Sequence, residues 1–268
     1  MPTDRAAGLT RPTIAIINAS TVLADSDFPA YVGAQQRQID YDFAPFWGKA
    51  AHLVFVGKGG TPPPGAWQMA FLDDADQAGA LGYHDTTADG HPLGKVFVKT
   101  TQTYGGIWTV TGSHEVLEML GDPDITRCVF IQTTGTQGMI YAYEASDAVE
   151  ADELGYQIDG VQLSDFVLDP WFDPGHYATP AGYSFKKRVT SPLSLAPGGY
   201  IGYFKVGSGT GWRQKTAAAH VGVSLMSSDL DHLGAAPLPH QLPTPGGRRE
   251  RRARGHHAWS RSTAHAAP

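Results

Sequence analysis

Five of the six glutamates in this 268-residue chain, Glu115, Glu118, Glu144, Glu150 and Glu153, fall between positions 115 and 153, and none comes earlier. Charge that serves only solubility scatters over a surface, so the clustering points to a site or to one locally exposed face. Two of the glutamates belong to His114-Glu115-Val116-Leu117-Glu118. On a helix, positions i and i+4 point the same way about 6 Å apart along the axis, so His114 and Glu118 can share one metal ion. Glu115 leans toward the same side, where a carboxylate can take a proton from metal-bound water without being a ligand. The alternative is a solvated helix face held by i,i+4 pairing.

A catalytic metal site commonly takes three protein ligands and leaves a position for water, so a third ligand must come from elsewhere. Glu144 is the leading candidate, because it closes the apolar run MIYAYE and a strand would aim it rigidly. Asp147 follows in softer turn sequence and is either the ligand or a group orienting His114 from behind, and Glu150 competes with both. Read alone, Glu144 and Asp147 are also ordinary turn residues. His84, in GYHDTTADGH, is a further candidate ligand or proton donor, against the plainer reading of a structural loop histidine. His176 and Tyr177, in PGHY, are candidates for stabilising an oxyanion. Cys128 stands alone, which excludes an internal disulfide and a cysteine cage, and reads as a small core residue.

The elements that must position these groups follow from patterning. TIAIINAS (13–20) and HLVFVG (52–57) read as buried strands, AWQMAFLD (66–73) and GKVFVKT (94–100) as two more. Between the first pair, Phe28, Val32, Ile39 and Phe43 recur at helical spacing behind Asp27 and Pro29, until Pro45 stops them. Over 107–120 the apolar Val116, Leu117, Met119 and Leu120 take one side of a helix and His114, Glu115 and Glu118 the other, with a stop at Gly121-Asp122-Pro123. VFIQTT (129–134) and MIYAYEA (139–145) predict a hairpin, and 155–215 is loop-rich with one further strand at YIGYFKV (200–206).

Net charge is −6, with 20 Lys+Arg against 26 Asp+Glu. Residues 1–226 hold 14 against 23, giving −9, and 227–268 hold 6 against 3, giving +3. The acidic body argues against a nucleic-acid groove, and no apolar run is long enough to cross a bilayer or to serve as a signal peptide, which sets a cytoplasmic location as the default. The tail, rich in Pro, Ala, Arg and His, has too few aliphatic residues to offset the entropy of ordering. The expected organisation is a flexible stretch 1–12, a folded domain 13–226 and a disordered tail 227–268 whose His256 and His257 can pick up metal adventitiously.

Ser-His-Glu-Val-Leu-Glu-Met-Leu-Gly-Asp-Pro (113–123) followed by Tyr-Glu-Ala-Ser-Asp (143–147) resembles the zincin-like metallopeptidases in which the second helix histidine is replaced by glutamate. The same pattern recurs in uncharacterised bacterial and phage proteins and, more loosely, in exordium-like plant proteins. The resemblance implies an α+β zincin fold: a twisted mixed sheet, an edge strand that pairs with substrate, for which GKVFVKT would serve, and an active helix beneath it. It further implies a metal-dependent peptidase with a peptide or protein substrate, His114, Glu118 and Glu144 on the metal and Glu115 as base. This chain departs from relatives with Glu-x-x-Asp-x-Cys in having Ala148-Val149-Glu150 after Asp147. One imidazole and two carboxylates neutralise a divalent ion, so its bound water is less acidic than in a two-histidine site, and the oxygen-rich shell relaxes preference from zinc toward manganese or calcium. The alternative function is a zincin-like metal-binding or particle protein without catalysis.

Overall fold

The computed structural model describes residues 11–175 and 182–218. The expected flexible stretch before residue 11, the tail after 226, and His176 with Tyr177 lie outside the described residues.

Ile14, Ala15 and Ile16 are wholly buried, which suits a strand flanked on both edges, and Thr13–Asn18 forms the interior strand β1. The next helix is interrupted. Its α-helical part, α1 (Phe28–Arg37), passes into a π-helical stretch over Gln38–Phe43 and then into α2 (Ala44–Trp47), which ends on left-handed Gly48. Pro45 therefore does not stop the helix as the sequence suggests. It sits in the first turn of α2, where its fixed φ is compatible with helix and little intrahelical bonding is lost. β2 (His52–Val56), β3 (Trp67–Leu72), β4 (Gly82–Thr86) and β5 (Pro92–Phe97) complete a mixed sheet of order β2-β1-β3-β5-β4. All its pairings are parallel except β4 with β5.

Two expectations about this sheet need correction. GKVFVKT is strand only through Phe97, because the chain turns at Val98 into the short helix α3 (Val98–Thr103). Nor is it the edge. β4 covers it, pairing His84 with Gly94, and the antiparallel edge of the sheet is the GYHDT segment read from sequence as loop. Polar Tyr83, His84 and Asp85 give that strand no apolar alternation, so pattern could not find it.

Trp108–Gly121 forms α4, of the predicted length but shifted one residue toward the C-terminus, with Asp122 as its C-cap. Its apolar side joins Phe28 and Tyr31 of α1 and Met69 and Phe71 of β3 in the main core. The Trp108 ring meets the rings of Phe28, Tyr31 and Phe71 at centroid distances of 5.3–5.6 Å. Gly112 allows this approach, because a Cβ there would stand 2.7 Å from the Tyr31 hydroxyl and 2.9 Å from Phe71 Cζ. Both are buried, so neither ring can swing clear into solvent. Gly112→Ala is therefore expected to destabilise the fold by about 1–3 kcal/mol, as overpacking does, despite alanine's better helix propensity. Chemical denaturation measures it, and a neutral or stabilising result would contradict the packing.

The rest of the chain contains β6 (Cys128–Gln132) and β7 (Gly138–Ala142), the predicted hairpin, then the small hairpin β8 (Tyr156–Ile158) and β9 (Val161–Leu163). β10 (Tyr200–Lys205) and β11 (Trp212–Thr216) join the first hairpin in an antiparallel sheet of order β11-β10-β7-β6. Cys128, expected in the core, is exposed, because β6 is an edge strand and Cys128 lies on its open face.

Residues 145–150 connect the two halves. Ala145 belongs to the main core, whereas Ala148 and Val149 belong to a second core with Val167, Trp171, Phe172 and Ile201. The Ala145 carbonyl accepts from Val167 N–H at 2.7 Å and the Ala148 carbonyl from Ala196 N–H at 2.9 Å. Gly199 passes so near that a Cβ there would be 2.2 Å from the Ala148 oxygen. The segment read as soft turn is in fact buried throughout, since its anchors come from residues far away in sequence. Among the described residues no helix is long and apolar enough to cross a membrane.

Candidate metal centre

The polar side of α4 does not face solvent. His114, Glu115 and Glu118 are 1%, 3% and 4% exposed, which removes the solvated-face alternative. Two walls cover them, the edge strand β4 and the segment 144–150. Against β4 the fit is close, since a Cβ on Gly82 would stand 2.8 Å from Glu115 Oε1.

His114 Nε2 lies 3.2 Å from Glu118 Oε1 and 3.4 Å from Asp147 Oδ1. Ligands at metal bonds of 2.0–2.1 Å in tetrahedral array are separated by about 3.3 Å, so these distances are those of groups that can share one ion. Glu118 Oε1 is fixed by the backbone N–H groups of Ser146 and Asp147, which donate at 3.1 and 3.2 Å. The other oxygen of Glu118 faces a second imidazole: Oε2 is 3.6 Å from His84 Nδ1, while His84 Nε2 is 3.7 Å from Glu144 Oε2. His84 Nδ1 is also 3.7 Å from Glu115 Oε2.

Two trios of ligand atoms are thus close enough to hold an ion, His114-Glu118-Asp147 and His84-Glu118-Glu144. The expected set of His114, Glu118 and Glu144 is divided between them. Glu144 does not close a strand, because β7 ends at Ala142, and the carboxylate reaches the site from the following loop. Glu150 is buried near the same cluster, its Oε2 without a hydrogen-bond partner. Sequence reasoning underrated His84, for want of a visible strand, and missed Tyr200, whose hydroxyl donates a hydrogen bond to Asp147 from the start of β10. Tyr200 carried no signal beyond a predicted strand.

Burial and mutual charge set the protonation of the cluster. Burial alone would push the His84 imidazole down, but the carboxylates of Glu144, Glu115 and Glu118 outweigh it and hold it up at about 9. His114 is likewise raised well above the usual range against its burial, by the charge of Glu118 and a hydrogen bond with Asp147. Burial raises Glu118, yet the two imidazoles draw it down to about 2. Asp147 goes the other way, to about 7, through burial and the neighbouring Glu118 charge, and burial lifts Glu150 well above the carboxylate range. Before any ion binds, then, protons occupy the imidazoles.

A ligating imidazole must be neutral, so loading an ion has to expel protons. At pH 6–8, below the raised values of both histidines, each proton displaced is expected to make apparent metal affinity rise about tenfold per pH unit. Titration calorimetry in buffers of different ionisation enthalpy counts those protons, and a pH-independent affinity with no proton release would exclude imidazole ligation.

Comparison with family models, with curated proteins and with solved structures finds no match to this chain.

Proposed function

We propose that the chain is a metal-dependent hydrolase of the zincin type that cleaves a peptide bond. The observation that carries this reading is the convergence of His114, Glu118 and Asp147 from a buried helix and an anchored loop, with Glu115 beside them. The donor set suits a divalent metal: a nitrogen and two carboxylate oxygens fit zinc, and the oxygen-rich surroundings admit manganese. His84 Nε2, buried and without a hydrogen-bond partner, adds a donor seeking an acceptor or an ion. A divalent ion bound there supplies Lewis acidity, polarising a carbonyl and acidifying water.

The residues do the rest. Glu115 accepts a proton from the attacking water and passes it to the departing amine. His84, 3.7 Å from Glu115, shares that proton's environment from the edge strand. The outer side of β4 has no strand partner among the described residues, and an extended peptide added there would lie beside the site, the usual mode of strand addition. Tyr200 holds Asp147 in place beside His114 Nε2, where the two can share an ion with Glu118. The support from outside the helix motif is the antiparallel edge strand over α4 in a mixed α+β sheet.

A second reading, a zincin-like protein with a structural ion and no turnover, is favoured by one observation: even the most open of these side chains, Glu144, is only 10% exposed. Metal content of tag-free protein beside His114→Ala separates a metal site from none, and digestion of a peptide library by the metal-loaded protein separates the two functions. A wild-type chain that retains no metal would exclude both.

A further inference from the structure

Glu118 faces its two histidines with different oxygens. Oε1 is 3.2 Å from His114 Nε2, and Oε2 is 3.6 Å from His84 Nδ1. Each histidine has its own second carboxylate, Asp147 for His114 at 3.4 Å and Glu144 for His84 at 3.7 Å. The cluster is therefore two donor trios joined by one carboxylate, and a single ion satisfies only one of them.

Formal charge points the same way. Glu115, Glu118, Glu144 and Asp147 bring −4 when ionised, and the ion pairs they form within the cluster are with His84 and His114. With neutral imidazoles, one divalent ion leaves −2 and two leave none. A buried site penalises net charge steeply, so the second ion removes what the first leaves. His84 is the independent sign of a ligand. Its side chain is 6% exposed, and its Nε2 points toward Glu144 without a hydrogen-bond partner.

We propose that the centre binds two divalent cations bridged by Glu118, the first on His114 and Asp147 and the second on His84 and Glu144. The proposal rests on the reading above that the first trio holds a metal. A bridged pair offers a hydrolase a clamp on both the attacking and the leaving atoms, which offsets the weak activation of water by a carboxylate-rich single-ion shell.

Manganese titration of the full-length, tag-free protein tests it, read by elemental analysis and electron paramagnetic resonance. Two equivalents are expected, with the six-line signal of isolated Mn(II) giving way to a spin-coupled spectrum as the second binds. Glu144→Gln and His84→Gln should each retain one equivalent and restore the six-line signal. One bound equivalent in the wild type, unchanged in both variants, would overturn the second site and leave the first standing. No bound manganese or zinc at all would remove both. Two uncoupled ions would also overturn the proposal, by placing the second ion elsewhere, such as on the tail histidines. Should either variant fold poorly by circular dichroism, the wild-type spectrum decides alone.

Discussion

Glu118→Ala is expected to abolish metal binding and to lower the stability of the metal-free fold by about 3–5 kcal/mol, the cost of breaking a buried charge pair. Both effects follow from the number of groups that meet at this one carboxylate. Its Oε1 receives the N–H groups of Ser146 and Asp147 and faces His114, and its Oε2 faces His84. Alanine strands two buried donors and leaves two imidazoles without their nearest anion. Each orphaned donor alone costs about 1–3 kcal/mol. Glu118→Gln separates the two effects, since the amide oxygen still accepts from the backbone while the anionic ligand is gone. It should recover most of the stability and little of the metal affinity. Urea denaturation with metal quantification reads both, and an alanine variant that keeps wild-type metal content would refute the central place given to Glu118.

Glu115→Gln is expected to cut peptide hydrolysis by about 10²–10⁴-fold, the usual contribution of a general base, while metal content stays at the wild-type level. Glu115 is absent from both trios that can hold an ion, so its loss removes no ligand. The amide keeps the shape that fits against Gly82 but cannot accept the proton from water. Turnover by the metal-loaded protein, with metal content measured on the same sample, checks this. Unchanged turnover would count against the base assignment, and loss of metal would make Glu115 a ligand instead.

The helix motif was legible because its information is local. His114, Glu115 and Glu118 are ordered by a 3.6-residue period, and burial added only that their side faces inward. Strands with apolar runs, such as β1 and β3, were legible for the same reason. What could not be read depended on distant partners. β4 has a polar sequence, and it is a strand because β5 pairs with it. Asp147 is rigid because Val167 and Ala196 bind the backbone on either side of it. His84 and Tyr200 reach the centre from positions 30 residues before His114 and 82 residues after Glu118, and no spacing rule covers such separations.

The bridge formed by residues 145–150 also sets when the centre can exist. β4 belongs to the first sheet and α4 packs against it, but Asp147 is held by Tyr200 and by a carbonyl network that reaches Ala196 and Gly199. During synthesis the helix motif emerges about eighty residues before Tyr200, so the candidate site lacks the group that holds Asp147 until β10 has been made. The trio of His114, Glu118 and Asp147 that could hold an ion is thereby complete only in chains whose two cores have docked.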